Sequence, residues 1–308
     1  MLIPSSFYNK TTYSGLETHI SNSYANSLLQ VLKYTPLFRN MALRHAAYAC
    51  KNDECLLCEM AYLFDMLEKA EGSVCQATNL LKALNSDADA ASLQLLEDHN
   101  SSNSSLTNML QGLNRWLMRK LSVDSKATAP YVGFDELVYT ESNNTIQCMA
   151  CKWKHGRPGT TFVNELHYPS LKVNSRNVRS PKVTFSQILK ASIEGESMSK
   201  GWCKKCQRYQ NVQTKKSVSR IPSLLMLNAA INTPDARLLW GTPGWLPEEI
   251  GIIVDNQGQL FCYEGDEIRM HVQRGIHNIE IYSLVGFVAE IDSGQNQKPH
   301  LVSLINGA

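Results

Sequence analysis

The sequence predicts an α+β fold, in which a mainly helical first half precedes a second half of mainly antiparallel strands. Apolar residues of the first half repeat at helical spacing, as Leu56, Met60, Leu63 and Leu67 do. Segments of the second half, such as TIQCMACKW and TTFVNELHY, alternate like strands and are bounded by turn residues. Helices followed by strands along one chain are typical of the α+β class.

The composition is that of a globular protein with a substantial core. Hydrophobic residues make up 43% of the 308 residues, charged residues make up 19%, and the formal net charge is +2. No apolar run reaches the roughly 18 residues that span a bilayer, and MLIPSSFYNK lacks the apolar core of a signal peptide. Nine cysteines, four of them in metal-like pairs, indicate a reducing compartment. We therefore expect a cytoplasmic protein without membrane contact, and the length of 308 residues allows one large domain or two small ones.

Three amphipathic helices are predicted in the first half. They lie at residues 26–34, 56–67 and 106–121, and each carries leucines on one face. The Asn/Ser-rich tail HNSSNSS before the third helix predicts a mobile surface loop. Together these segments form a helical region over residues 12–125.

The second half is predicted to contain one short helix, FSQILKASI, and a succession of strands. The strand segments are VQTKKSVSRI, SLLMLNAAI, EIGIIVDNQ, GQLFCYEG and NIEIYSLVGFVAEI. Asn256 and Gly258 have the residue types of a tight turn, so VDNQGQLF is predicted to form a hairpin.

Two Cys-x-x-Cys pairs, Cys148/Cys151 and Cys203/Cys206, predict a metal site. Four thiolates at this spacing typically bind zinc tetrahedrally in a closed, structural site. Such a site would join two distant segments in a finger region at about residues 145–215. The alternative is that the four thiols are buried and pack as small hydrophobic groups.

Cys50, Cys55 and Cys58 form a third group of cysteines. Cys55 and Cys58 belong to the strongly helical segment ECLLCEMAYLFDML. We therefore interpret them as core positions of a helix rather than as metal ligands.

The segment around the second pair is strongly basic. Its positive charge suggests contacts with RNA or with an acidic partner. The alternative is that these residues compensate the negative charge of a zinc–tetrathiolate centre and line a solvated strand. The candidate nucleic-acid contacts are Lys200, Lys204, Lys205, Arg208, Lys215 and Lys216.

Residues 15–30, GLETHISNSYANSLLQ, resemble the cysteine box of the ubiquitin-specific proteases, G-L-x-N-x-G-N-T-C-Y-x-N-S-x-L-Q. That family also carries two Cys-x-x-Cys pairs in a zinc ribbon, and Tyr282-x-Leu284 and PHLVSLI resemble its later motifs. The resemblance implies a papain-like ubiquitin-specific protease fold that forms a single ubiquitin-hydrolase-like domain over residues 1–308. Residues 12–125 would form its helical thumb, and residues 126–308 its antiparallel β palm and zinc-ribbon finger. The positions that match the box are Gly15, Leu16, Tyr24, Asn26, Ser27, Leu29 and Gln30.

The departures from the family pattern fall on its chemistry. Ser23 stands at the position of the nucleophilic cysteine, and Thr18 replaces the asparagine that donates to the oxyanion. Ile20 replaces a loop glycine. His300 occupies the position of the base, but Leu301 replaces the tyrosine beside it. The catalytic positions of the family are therefore degenerate in this chain.

These departures remove the activation that the family's chemistry requires. A thiolate is available near neutral pH because a partner lowers the cysteine pKa, whereas serine needs an oriented base. Loss of one oxyanion donor alone costs roughly 10²–10³ in rate. The Asp or Asn that orients the family's histidine has no match in this sequence. We interpret the stop at Ala308 as the end of an excised or discontinuous region. The resemblance therefore implies an inactive hydrolase fold, with Ser23 as a helix N-cap.

FYNKTTYSGLETHISNSYANSLLQVLKY and CLLCEMAYLFDML resemble one inactive branch of this family. The members of that branch are the ubiquitin-hydrolase-like domains found in the catalytic subunits of poly(A)-nuclease deadenylation complexes. The resemblance implies a scaffold that positions a 3′-exoribonuclease domain and a kinase-like regulatory subunit, with the nuclease and a propeller as neighbouring domains of the parent chain. Neither the propeller nor the Mg²⁺-dependent nuclease has its motifs in this sequence. Structural Zn²⁺ is the expected cofactor, poly(A) RNA is a further candidate partner, and ubiquitin is not expected to bind.

Two other functions remain open from the sequence. The domain could be a ubiquitin- or poly(A)-binding module without catalysis. It could also be a residual hydrolase that works through a Ser23/His300 dyad, although Thr18 and Ile20 argue against this.

Overall fold

The computed structural model describes residues 12–18, 21–96, 105–128, 130–131, 133–169, 183–275, 278–291 and 299–306. The chain divides into two compact units. Unit 1 comprises Met1–Leu137 and Val285–Ala308, and unit 2 comprises Val138–Leu284. Within the described ranges, no helix combines the length and the apolar character needed to cross a membrane.

The three helices predicted in the first half are confirmed as α1, α3 and α6. Helices α2, α4, α5, α7, α9 and α10 were not predicted. The bounds are α1 Asn26–Lys33, α2 Pro36–Ala46, α3 Leu56–Lys69, α4 Thr78–Ser86, α5 Ala88–Ser92, α6 Leu106–Asp124, α7 Phe134–Val138, α8 Phe185–Ile193, α9 Pro234–Trp240 and α10 Asp266–Gln273.

The short helix α5 begins in a segment that carries turn-forming residues. The Asp87 carboxylate accepts hydrogen bonds from the N–H groups of Asp89 and Ala90, at 2.9 and 3.0 Å. This side-chain cap satisfies donors that the first turn of a helix leaves without a partner. Most of the predicted Asn/Ser-rich loop, residues 97–104, lies outside the described residues.

The strands confirm the predicted change of structure in the second half. One prediction was wrong, because NIEIYSLVGFVAEI does not form one strand. It divides into β9 in unit 2 and β10 in unit 1, with Leu284 and Val285 between them. The bounds are β1 Thr140–Cys148, β2 Lys154–Thr161, β3 Val163–Glu165, β4 Gly195–Cys203, β5 Arg208–Arg220, β6 Met226–Asn228, β7 Glu249–Val254, β8 Leu260–Glu264, β9 Glu280–Ser283, β10 Gly286–Ile291 and β11 His300–Ile305.

Aromatic packing organises the helical core of unit 1. Phe38 and Phe64 meet edge to face with ring centroids 6.4 Å apart, and Phe38 and Phe134 do so at 6.1 Å. All three side chains are fully buried. Burying one such ring contributes about 1.5–3 kcal/mol, so this cluster joins α2, α3 and α7.

An antiparallel pair of strands completes unit 1. Strands β10 and β11 pair so that Ile291 lies opposite His300. The Ser303 hydroxyl donates to the Ser27 carbonyl over 3.0 Å. This bond places β11 beside α1, the helix that contains the end of the cysteine-box segment.

Unit 2 contains two antiparallel sheets. One has the strand order β2-β1-β5-β4, and the other has the order β8-β7-β9. A short parallel pair, β3 and β6, departs from the antiparallel pattern predicted for this half. Helix α8 contributes Phe185 to the hydrophobic core, where it meets Trp245 at 5.5 Å between ring centroids.

The predicted hairpin is confirmed between β7 and β8. The Asp255 carboxylate accepts hydrogen bonds from the N–H groups of Gln257 and Gln259, at 2.9 and 2.8 Å. Gly258 has a φ of +73°, which favours glycine. Asp255 therefore organises the turn in which the predicted residues Asn256 and Gly258 lie.

Candidate functional site

The cysteine-box segment is held at the start of α1 by backbone bonds to a distant residue. Leu16 forms a parallel bridge with Cys75. The Glu17 N–H donates to the Cys75 carbonyl, and the Cys75 N–H donates to the Gly15 carbonyl, both at 2.9 Å. The Asn26 side-chain amide donates to the Glu17 carbonyl at 2.6 Å. These contacts fix the chain between residue 15 and the helix.

Ser23 begins a 3₁₀ turn, Ser23–Ala25, that leads directly into α1. Its hydroxyl donates to the Thr18 carbonyl over 2.8 Å. The predicted N-cap role was wrong, because Asn22 precedes the turn and Ala25 precedes α1, and neither makes a side-chain cap. Asn22 has a φ of 64°, so the backbone turns sharply just before Ser23.

The other degenerate positions are placed in part. Thr18 is exposed and uses its backbone carbonyl to hold Ser23. Ile20 lies outside the described residues. His300 is half-buried at the start of β11, in the same unit as Ser23. Ser23 thus lies directly before α1, and His300 begins β11, the strand that the Ser303–Ser27 hydrogen bond places beside α1.

The two Cys-x-x-Cys pairs converge in unit 2. Cys148 ends β1 and Cys203 ends β4, and each is followed by a tight turn that carries the second cysteine of its pair. The Cys148 and Cys206 sulfurs are 3.9 Å apart, and those of Cys151 and Cys203 are 3.6 Å apart. A zinc tetrahedron with Zn–S bonds of about 2.3 Å places its sulfurs about 3.8 Å apart. The four thiols therefore fit one tetrahedral metal ion, and they are too far apart for disulfides.

The backbone of the first turn favours a thiolate. The N–H groups of Cys151 and Ala150 lower the pKa of Cys148 to about 6. The hydrogen bond with the Cys151 side chain raises the pKa of Cys206 to about 12, since the clustered thiols share protons. In the second turn, the Cys206 N–H donates to the Cys203 sulfur at 3.4 Å. A metal ion at the centre would replace the shared protons.

A second ligand cluster occurs in the part of the chain that the structure describes. His45, Cys50, Cys55 and Cys58 each offer one ligand atom, and these atoms all lie within 4.8 Å of one another. Cys55 is buried, as the sequence predicted, but it packs against His45 rather than only against apolar side chains. The sequence interpretation grouped the three cysteines but assigned Cys55 and Cys58 to a helix core, and it missed His45 because that residue lies on a separate helix, α2.

The exposed side of the β4–β5 pair carries an aromatic and basic surface. Paired residues of antiparallel strands share a face, and successive residues alternate. Trp202 lies opposite Tyr209, and their exposed rings meet edge to face at 5.6 Å. Lys200 and Lys215 project on the same face, as does exposed Met198. We call these five residues the aromatic face.

The remaining basic residues lie elsewhere, so the predicted cluster is divided. Arg208 pairs with Cys203 on the opposite face of the strands, and Lys216 also projects there. Burial lowers the pKa of Lys216. Lys204 and Lys205 lie in the turn between the second pair of cysteines. The six candidate contacts are therefore distributed over both faces of the strand pair and the turn.

Residues 14–308 match the family described as ubiquitin carboxyl-terminal hydrolase. This match covers nearly the whole chain, and the chain therefore belongs to the ubiquitin carboxyl-terminal hydrolase family. The predicted ubiquitin-specific-protease-like α+β fold is confirmed.

Within that family, the chain is similar to PAN2 proteins. The PAN2-PAN3 deadenylation complex catalytic subunit PAN2 of Chaetomium globosum is 52% identical over 320 residues, covering 98% of this chain and 29% of that protein. The Neurospora crassa Pan2 catalytic unit, with protease and nuclease domains, is 46% identical with a TM-score of 0.87 and covers 98% of this chain and 50% of that chain. The Saccharomyces cerevisiae PAN2 pseudoubiquitin-hydrolase, 20% identical with a TM-score of 0.72, shares the fold over 99% of this chain and 79% of that chain. The chain thus spans less than a third of its curated relative.

Proposed function

We propose that this domain is a catalytically inactive, ubiquitin-hydrolase-like scaffold in the catalytic subunit of a poly(A)-specific 3′-exoribonuclease. It would act in cytoplasmic mRNA deadenylation and position the nuclease domain and a kinase-like regulatory subunit. Similarity to deadenylation-complex subunits supports the assignment. Mg²⁺ would serve only the nuclease domain, which lies outside this sequence.

The Ser23–Thr18 hydrogen bond carries the proposal of inactivity. An active serine donates its proton to a base, but the Ser23 hydroxyl donates to a backbone carbonyl. Thr18 also lacks the side-chain amide with which the family donates to the oxyanion at this position. Both features oppose nucleophilic attack on a ubiquitin C-terminus.

Within the proposed scaffold, residues 12–125 form the thumb and residues 126–308 form the palm and fingers. Cys148, Cys151, Cys203 and Cys206 would bind a structural Zn²⁺ in the finger, which the sulfur spacings support. The metal would hold the ends of β1 and β4 together and would take no part in chemistry.

Hydrolysis of ubiquitin-rhodamine tests the absence of activity. We expect no turnover by the wild-type chain and no difference in Ser23→Ala. An active ubiquitin-specific protease serves as the positive control. Turnover that Ser23→Ala abolishes would overturn the proposal and establish a residual Ser23/His300 hydrolase.

Deadenylation by the complete subunit with its regulatory partner tests the scaffold role. Phe38→Ala removes a fully buried ring and should cost about 3–5 kcal/mol of stability. We expect this variant to slow poly(A) removal, whereas Ser23→Ala leaves the rate unchanged. Equal rates for an unfolded domain and the wild type would contradict a scaffold function.

A second candidate function is a contact with poly(A) RNA through the aromatic face. Exposed Trp202 and Tyr209 beside Lys200 offer ring surfaces for base stacking and charge for phosphates, and Lys215 lies further along the same face, opposite Glu196. We expect Lys200→Glu to weaken poly(A) binding and reduce its salt dependence. Arg208→Glu makes the same charge change on the opposite face and should have a smaller effect. Equal effects of the two variants would exclude recognition by this face.

A further inference from the structure

The junction between α2 and α3 gathers four side chains that the proposed scaffold function does not use. His45 lies in the last turn of α2, and Cys50 lies in the connecting loop. Cys55 immediately precedes α3, and Cys58 is in its first turn. The junction cluster, as we name these four residues, combines one imidazole with three thiols from a short stretch of unit 1.

The ligand atoms of the junction cluster are spaced for one small cation. The His45 Nε2 atom lies 3.3 Å from the Cys55 Sγ atom. A tetrahedral zinc ion with Zn–S bonds of about 2.3 Å and Zn–N bonds of about 2.0–2.1 Å separates such a pair by about 3.6 Å. All four ligand atoms lie within 4.8 Å of one another, so the other two sulfurs can complete the same shell.

The opposite side of the imidazole is also suited to metal binding. The Thr128 Oγ1 atom lies 3.4 Å from His45 Nδ1 and 3.4 Å from the Ser125 carbonyl oxygen. When the Thr128 hydroxyl donates to that carbonyl, its oxygen accepts from Nδ1–H. This tautomer leaves the Nε2 lone pair facing the thiols, as a metal ligand requires.

The loop that carries Cys50 is fixed by contacts outside the cluster. The Lys51 N–H donates to the Ala127 carbonyl at 3.2 Å, and the Asn52 amide donates to Asp124 at 3.0 Å. The other Asp124 oxygen accepts from the Leu56 N–H at 2.9 Å. The backbone is therefore held in place independently of a cation, which lowers the ordering entropy that binding would cost.

We propose that His45, Cys50, Cys55 and Cys58 bind a second structural Zn²⁺ ion in a Cys₃His site. Sulfur and imidazole ligands in this number favour tetrahedral zinc over the oxygen-seeking cations. All four coordination positions come from protein, so the site is closed and structural. The ion would fasten the end of α2 to the start of α3, as the zinc ribbon fastens two segments of unit 2.

The metal content of the purified full chain tests this proposal. The zinc concentration, measured by mass spectrometry, should be twice the protein concentration. This ratio corresponds to one zinc ion for each of the two clusters among the described residues. Cys58→Ser and Cys203→Ser should each reduce the content to one, and the combined variant should reduce it to none. Cys75→Ser changes a cysteine of the same unit outside the cluster and should keep both ions.

X-ray absorption distinguishes the junction cluster from the ribbon, because only the junction cluster supplies nitrogen. Wild-type protein should show a Zn–N component at about 2.0–2.1 Å beside Zn–S at about 2.3 Å. His45→Ala should lose one zinc ion. His45→Cys should retain both ions but lose the nitrogen component.

Three results would overturn the proposal. The first is one zinc per wild-type chain with sulfur-only coordination. The second is two ions whose number Cys58→Ser leaves unchanged. The third is a disulfide among the junction cysteines, read from the intact mass. If Cys58→Ser does not fold, the wild-type stoichiometry and nitrogen component still decide between the first result and the proposed site.

Discussion

The Ser23 hydroxyl is hydrogen-bonded to the Thr18 carbonyl at 2.8 Å, and this bond connects the two most altered positions of the cysteine box. Because Thr18 lacks the side-chain amide that the family uses as an oxyanion donor, restoring the nucleophile alone does not restore the site. We predict that Ser23→Cys remains inactive and is not labelled by a ubiquitin electrophile. Labelling at the rate of an active ubiquitin-specific protease would show that the oxyanion position is not limiting.

A buried ammonium gives a second prediction. Lys33 is 3% exposed and pairs with the carboxylate of Glu68, which also contacts Arg39 at 3.1 Å. The hydrogen bond from Lys33 lowers the pKa of Glu68. Glu68→Gln leaves the buried charge without its counter-ion and should cost about 1–3 kcal/mol in urea unfolding.

Two variants control for simple charge effects at this pair. Lys33→Met removes the buried charge itself and should be nearly neutral. Asp65→Asn breaks an exposed pair with Lys69 and should change stability by less than about 1 kcal/mol. If Glu68→Gln and Asp65→Asn have the same effect, burial of Lys33 is not the cause.

The Asp87 cap predicts a pH dependence. Burial raises the pKa of Asp87, but the Ala90 N–H and the Lys120 ammonium outweigh it and hold the pKa below its usual value. A carboxyl with a lowered folded pKa stabilises above its unfolded pKa of about 3.9, and this contribution disappears as the pH falls through the folded pKa. Asp87→Asn should be less stable than wild type at pH 7, by about 1–2 kcal/mol. Denaturant unfolding at a series of pH values should show the difference shrinking below about pH 4, and a constant difference would contradict the ionic explanation.

The proposed zinc site of Cys148, Cys151, Cys203 and Cys206 predicts a local loss of order in one variant and none in another. Cys203→Ser removes one of four ligands, so hydrogen exchange near the ends of β4 and β5 should accelerate as metal is lost. His155 stacks on Trp153 near the four finger cysteines, with centroids 5.8 Å apart, but four thiols suffice for the proposed tetrahedral shell. His155→Ala should therefore retain the metal. Metal loss in His155→Ala with retention in Cys203→Ser would require a different ligand set.

A close backbone approach makes Gly258 less replaceable than another glycine of positive φ. A Cβ atom at Gly258 would lie 2.7 Å from the Val218 carbonyl oxygen, whereas at Gly244 it would meet nothing within 4 Å. Gly244→Ala should cost about 1–2 kcal/mol from its backbone conformation alone. Gly258→Ala should cost about 1–3 kcal/mol more in thermal or urea unfolding. Equal costs would show that the hairpin can move away from β5.

Local patterns in the sequence were sufficient for some of these elements. Helices α1, α3 and α6 follow from apolar periodicity, and the β7–β8 hairpin follows from its turn residues. The division between β9 and β10 could not be predicted, because apolar alternation continues through Leu284 and Val285. A change of partner strand depends on distant residues and leaves no local signal.

The same distinction applies to the sites. The spacing of the two Cys-x-x-Cys pairs is sufficient to predict a metal site, whereas Cys55 and Cys58 also fit the apolar face of a helix. Their convergence with His45 depends on how two helices meet. Likewise, Lys200 and Arg208 are near in sequence, but the alternation of a strand pair separates them onto opposite faces.

The division of the chain at Leu137 and Val285 has a consequence for synthesis on the ribosome. Unit 2 is one uninterrupted stretch inserted into unit 1, so all of its residues leave the ribosome before strands β10 and β11 do. Unit 1 must wait for β11 before Ser303 can reach Ser27 at α1. A nascent chain can therefore finish the inserted unit while the enclosing unit still lacks β10 and β11, so unit 1 stays incomplete for longer during synthesis.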